Sequence, residues 1–396
     1  MMLDNFAKDY INLGLRINKL INGFVEHYYG PLKSKNLVEA ETRKSPKKLL
    51  TDCKSLKNKL KDKGFEERRH KFLEKNLDAI HTILRKLNGE KIPYLELVEN
   101  LFDFKPKLYK DQFFYDLSLK AESVYKGKGD LSSRIREYVK KRKIPSNILR
   151  NQFIRAIEIA RKQTIKVFPN LMPSSERVEV VEVKDQSWPM YCWYLGNFFS
   201  RIEINVDRIH YWTNLLDCAC HEVYPGHHME RLVREQLLYR DKGYFESSIL
   251  LIYTPEIVIS EGMALLAERS LFDRMESSKI LLENFCPNPQ NEDSIELLSV
   301  QCEIREGFRK FESNLAYHKY VNNWTNDELI DYSRSFKVIP DEGIKGLLDF
   351  ISDEIWAPYI PVYQGERIII ENLGNPPTPE LFLKLLTEQT LPSDLA

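Results

Sequence analysis

Apolar residues recur with helical spacing over most of the chain. Phe6, Tyr10, Leu13, Ile17, Leu20, Ile21 and Phe24 fall on such a stripe within residues 4–28, and Gly30-Pro31 ends it. Leu-, Lys- and Glu-rich segments at 47–62, 65–87, 93–104 and 112–125 follow, separated by short Gly or Pro breaks as in antiparallel helices. Residues 130–167 predict two more helices, split at Ile144-Pro145-Ser146. The pattern then changes. ERVEVVEV (176–183) alternates as a strand, and YCWYLGNFFSRIEINVD (191–207) reads as a second extended stretch. Helical spacing returns at 211–224, 228–240, 255–273, 293–322, 326–337 and 341–353, before a linker and a short terminal helix. These elements predict a mainly α fold with a small β-sheet, an N-terminal helical region over 1–170 and a second region over 171–396.

Charge sharpens that division. Residues 1–200 carry 40 Lys and Arg against 25 Asp and Glu, leaving 18 against 33 for residues 201–396, so a basic region complements an acidic one within a neutral chain. The lysine-rich stretches accompany no nucleic-acid motif, so no nucleic acid is expected as a partner. Six cysteines without disulfide spacing read as reduced thiols of a cytoplasmic protein. The N-terminus lacks the apolar segment of a signal peptide, and the longest apolar run, 249–253, is too short to span a bilayer. Oligomeric state is not readable.

The chemistry concentrates in CACHEVYPGHHMERL (218–232). Zinc helices commonly carry H-E-x-x-H, with two histidines on one face and a glutamate that activates water. Here His221 and Glu222 are followed by Val-Tyr-Pro-Gly before His227 and His228, so the second histidine arrives two residues late. Pro225 disfavours helical geometry at Tyr224 and Gly226 tolerates distortion, so a bulged turn can absorb the two residues. On an undistorted helix His228 would lie about 10.5 Å along the axis from His221. His227 is therefore the preferred second ligand, with His228 beside the site as a supporting or transition-state group. Glu261, in ISEGMALLAERSLF, supplies the third ligand, with Ser260 as a cap and Glu268 positioned to hold a ligand histidine. The competing readings are a Cys218/Cys220/His221 structural zinc site and hydrogen-bonded core histidines.

HEVYPGHH followed by EGMALLAE resembles the signature of the family called domain of unknown function 885, bacterial and archaeal proteins regarded as zinc metallopeptidases with a zincin-like catalytic region. INGFVEHYYGP, LAYHKYVNNW (315–324) and WAPYIPVYQGERI (356–368) are similar to family segments in kind and order. The resemblance implies a multi-helix zincin-like, gluzincin-type peptidase with Zn2+ on His221, His227 and Glu261 and with Glu222 as general base. Met263, where the family commonly has Trp, and a shortened run between Tyr363 and Gly365 bear on the substrate pocket. His318 and Tyr363 become candidate oxyanion donors, and 198–206 a candidate edge strand for a peptide substrate. Arg305, Arg309 or Arg367 are candidates to bind a substrate carboxylate. The expected activity is hydrolysis of short peptides, from an end or internally; the alternative is a non-catalytic metal-binding scaffold that recruits a partner.

Overall fold

The computed structural model describes residues 4–287, 293–339, 341–353 and 357–395. Helices dominate, as the periodicity predicts. Asn5–Asn18, Pro46–Lys61, Glu67–Leu87 and Tyr94–Phe102 bury Tyr10, Ile11, Leu49, Leu73, Leu77, Ile80 and Phe102 in one core. Asp4 and Ser45 start two of them by accepting from the backbone N–H of Ala7 and Lys48. That core continues into residues 249–258 and Val362, so the basic N-terminal helices support the acidic part of the chain directly. Each large apolar side chain buried this way contributes about 1.5–3 kcal/mol.

The stripe over 4–28 breaks earlier than predicted. The helix ends at Asn18, Gly23 takes φ +80°, and strand β1 (Val25–Tyr28) follows. It pairs antiparallel with a later strand, Ile249–Leu251, which delivers Glu26 and His27 to the centre of the molecule. The extended stretch at 191–207 is a hairpin rather than one strand. Strands β3 (Met190–Gly196) and β4 (Phe199–Asn205) turn through Gly196, Asn197 and Phe198, all at positive φ. With β2 (Arg177–Val183) they form a sheet of order β2-β4-β3, parallel on one side of β4 and antiparallel on the other. Strand β4 is thus central, and 198–206 cannot serve as a substrate-binding edge; the edges are β2 and β3.

Behind the sheet stand helices Leu215–Glu222 and His227–Arg234, the second continuing as a wide π-helical turn over Glu235–Asp241. Pro255–Leu271, buried along nearly its whole length, runs through the middle. The long helix Ile295–Tyr320, capped by Ser294, and the segment Ile360–Gln364 close the far side. Helix Arg274–Asn284 was not evident from the spacing. Trp356, the first residue of WAPYIPVYQGERI, lies outside the described residues. Among the described residues no helix is long and apolar enough to cross a membrane.

Candidate metal centre

Helix Leu215–Glu222 follows its apolar residues inward, with Leu215, Leu216 and Ala219 fully or almost fully buried, and ends with His221 and Glu222. The backbone then leaves helical geometry at Val223 (φ −124°, ψ −74°) and passes a cis Tyr224-Pro225 bond to Gly226. The Gly226 N–H donates to the Cys220 carbonyl at 2.9 Å. A Cβ on Gly226 would lie 1.9 Å from the His221 carbonyl oxygen, so only glycine allows the second helix to begin this close to the first. Val-Tyr-Pro-Gly therefore forms a compact turn that recovers the register lost by the two extra residues.

The turn brings the His221 and His227 rings edge to face, with centroids 4.8 Å apart. His227 Nε2 lies 3.6 Å from one Glu261 oxygen, and His221 Nε2 lies 3.9 Å from the other. One ligand atom from each of the three residues lies within 4.8 Å of the others. Two ligands on one tetrahedral zinc stand about 3.4 Å apart, so the donor set fits such an ion after small ring adjustments. Burial holds His221 well below the usual histidine pKa and pushes His227 down to about 4, which keeps both rings in the neutral form that coordinates metals.

These residues open on a cavity of about 600 Å³ that Glu222 and Tyr363 also line. Burial, reinforced by Glu261 and Glu26, raises the Glu222 carboxyl to about 8; burial, with Glu26 adding, raises Glu261 to about 7. Arg309 offsets only part of this shift, and carboxylates gathered in this way are the environment that a divalent cation would stabilise. Tyr359 donates to Glu261 at 3.3 Å, and Glu26 accepts from the Tyr191 hydroxyl at 2.5 Å.

The structure does not bring His228 or His318 to this cavity. Consecutive helical residues point about 100° apart, and His228 faces the sheet, fully buried. Its Nδ1 is 2.7 Å from Ser200 Oγ, and its Nε2 is 3.4 Å from Glu176. His318 stacks on Trp324 at 3.8 Å, and its Nδ1 accepts from the Asn322 amide. Glu268 lies 3.9 Å from Arg305 instead of holding a ligand histidine; the group that engages the His221 ring is the Ala264 backbone, on the same helix as Glu261. Ser260 is not a cap. It donates to Glu230 and accepts from Arg231 within a buried network that includes Arg234 and Glu256, while the helix starts at Thr254. Among the described residues, neither Cys218 nor Cys220 belongs to a group able to hold a metal.

The three candidate arginines separate. Arg305 is held by Asp217 at 3.2 Å and Asn214 at 2.8 Å, Arg367 pairs with Glu371 at 2.7 Å, and Arg309 lines the cavity. The periodicity did not reveal Glu26, Tyr191, Arg231, Glu312 or Tyr359 as cavity residues. For Glu26 a signal existed in INGFVEHYYGP, and for Tyr359 in WAPYIPVYQGERI.

No protein-family model and no curated protein matches the chain. Among solved structures it is similar to a candidate lipoprotein from Colwellia psychrerythraea, with TM-score 0.52 and 14% identity over 92% of this chain and 68% of that one. It is also similar to a candidate lipoprotein of unknown function from Shewanella oneidensis, with TM-score 0.52 and 11% identity over 98% of this chain and 81% of that one. At these identities the likeness is one of fold.

Proposed function

We propose that the protein is a zinc-dependent peptidase acting on short peptides. The observation that carries this reading is the convergence of His221, His227 and Glu261 on one cavity wall with Glu222 beside them. The resemblance of HEVYPGHH and EGMALLAE to the zincin-like family supports it. His221, His227 and Glu261 would hold a zinc ion, which would supply Lewis-acid polarisation of the scissile carbonyl and lower the pKa of the attacking water. Glu222 accepts a proton from the attacking water, then delivers it to the departing amine, so the C–N bond breaks as the new C–O bond persists. Tyr363, whose hydroxyl makes no hydrogen bond among the described residues, donates to the oxyanion. Edge strand β3 and the loop before it contribute 187–192 to the cavity wall, a place where a peptide backbone can add as a further strand. Among the described residues no cysteine forms a disulfide with another, which favours a reducing compartment such as the cytoplasm.

The direct test is Glu222→Gln. The variant should bind one equivalent of zinc, as the unaltered protein should, and lose about 10²–10⁴-fold in peptide hydrolysis. Full activity in the variant would remove the mechanism and leave the metal assignment standing.

A further inference from the structure

We infer that Arg309 receives the free C-terminal carboxylate of the substrate, so that the site removes residues from the C-terminal end of short peptides. This inference rests on the peptidase reading above and adds its substrate class.

Two arginines line the cavity, and their surroundings differ. Arg231 is saturated: Glu256 lies 3.1 Å away, Ser260 Oγ 2.7 Å and Glu230 3.3 Å. Arg309 makes no hydrogen bond among the described residues. Among the described residues its ion pair within 4 Å is with Asp217 at 3.9 Å, and Asp217 is already engaged by Arg305 at 3.2 Å; Glu312 and Glu366 act on it from further away. A partly buried guanidinium with five donors in a fixed fork, lining the cavity and hydrogen-bonded to none of its carboxylates, matches a planar carboxylate that can accept two of its N–H groups.

Position agrees with this assignment. Arg309 is among the charges that act on Glu222, Glu261 and Tyr363, so its charge reaches the reacting centre. A carboxylate seated there belongs to the end of the peptide that leaves with the amine. The acidic groups of the same cavity offer the opposite specificity. Glu26 is occupied by the Tyr191 hydroxyl, whereas Glu312, one helical turn beyond Arg309, has no hydrogen bond or ion pair among the described residues. It is the group that would favour a free α-amine.

The experiment compares N-acetylated tetrapeptides ending in a free carboxylate or in a carboxamide, each also with a free N-terminus, on zinc-loaded protein. Expected is a kcat/KM about 10²-fold or more higher for the free acid, with release of C-terminal residues and indifference to N-acetylation. Arg309→Met should bring the acid-to-amide ratio close to one, and Arg309→Lys should restore part of it. The same four peptides are titrated calorimetrically into zinc-loaded Glu222→Gln, with and without Arg309→Met. Hydrolysis that is indifferent to the C-terminus, or that requires a free α-amine, overturns the Arg309 assignment and leaves the peptidase reading intact. Selective binding of the free acid, lost with Arg309→Met, in a protein that hydrolyses no peptide removes the peptidase reading and retains Arg309 as a carboxylate site.

Discussion

Gly262 and Gly365 meet backbone to backbone. A Cβ on Gly262 would lie 2.5 Å from the Gly365 carbonyl carbon, and one on Gly365 would lie 2.0 Å from the Val258 carbonyl oxygen. The contact joins the helix that carries Glu261 to the segment that carries Tyr359 and Tyr363, so it sets the distance between a metal ligand and two cavity tyrosines.

Gly365→Ala should therefore push this segment away from Glu261. Overpacking of this kind costs about 1–3 kcal/mol, and the displaced ligand should also weaken zinc binding. Thermal unfolding and a zinc titration measure the two effects separately. Unchanged values for both would show that the helices can separate without disturbing the site.

The neighbouring histidines should behave oppositely. His227→Ala removes a ligand and should abolish stoichiometric zinc. His228→Ala should keep one equivalent and lose about 1–3 kcal/mol of stability, because Ser200 and Glu176 lose their buried partner. Elemental analysis and denaturant unfolding distinguish these outcomes. Zinc retained without His227 and lost without His228 would reverse the assignment.

Helices were legible because a buried stripe at 3.6-residue spacing is a local property, and Pro or Gly marks most of their ends. The central position of β4 was not, since alternation shows which face is buried and not which strands flank it. The Gly196-Asn197 turn was a visible hairpin signal inside the stretch read as one strand. At the site, the chemistry of His221, Glu222 and Glu261 could be read from short motifs. The difference between Arg305 and Arg309 could not: both lie on one helix face, and Asp217, which occupies the first, is about ninety positions away in sequence. His318 sits in an aromatic segment whose stacking on Trp324 is a tertiary fact.

Metal removal should leave a protein whose stability falls as pH rises from about 6.5 to 8. Burial raises Glu222 to about 8 and Glu261, Glu268 and Glu312 to about 7, against an unfolded value of about 4.3. The folded state therefore holds protons that the unfolded state has released, and stability is lost as pH climbs through the folded values. Below about 6.5 the lowered His221 and His227 act in the opposite sense, since the unfolded chain protonates its histidines there. Above it the carboxyls act alone. Unfolding temperatures of chelator-treated protein across this range should decline, and one equivalent of zinc should lessen the decline by binding the ionised Glu261 and stabilising the ionised Glu222 beside it, while the share due to Glu268 and Glu312 remains. A flat or rising profile for the metal-free protein would contradict the charge arrangement described for the cavity.

Tyr363 provides the most specific kinetic test. It lines the cavity with its hydroxyl free of hydrogen bonds among the described residues, on a segment that the Gly262–Gly365 contact holds against the metal ligands. A donor that meets its acceptor only when the carbonyl becomes tetrahedral contributes to the transition state and little to substrate binding. Tyr363→Phe should accordingly lower kcat and kcat/KM together, by about 10²–10³-fold if it behaves as a typical oxyanion donor, while KM stays nearly constant. Peptides of four or more residues are the appropriate substrates, because they also engage the β3 side of the cavity. A raised KM at constant kcat would instead place the hydroxyl in ground-state binding, and unaltered kinetics would reduce Tyr363 to packing against Tyr359, whose ring lies 5.9 Å away.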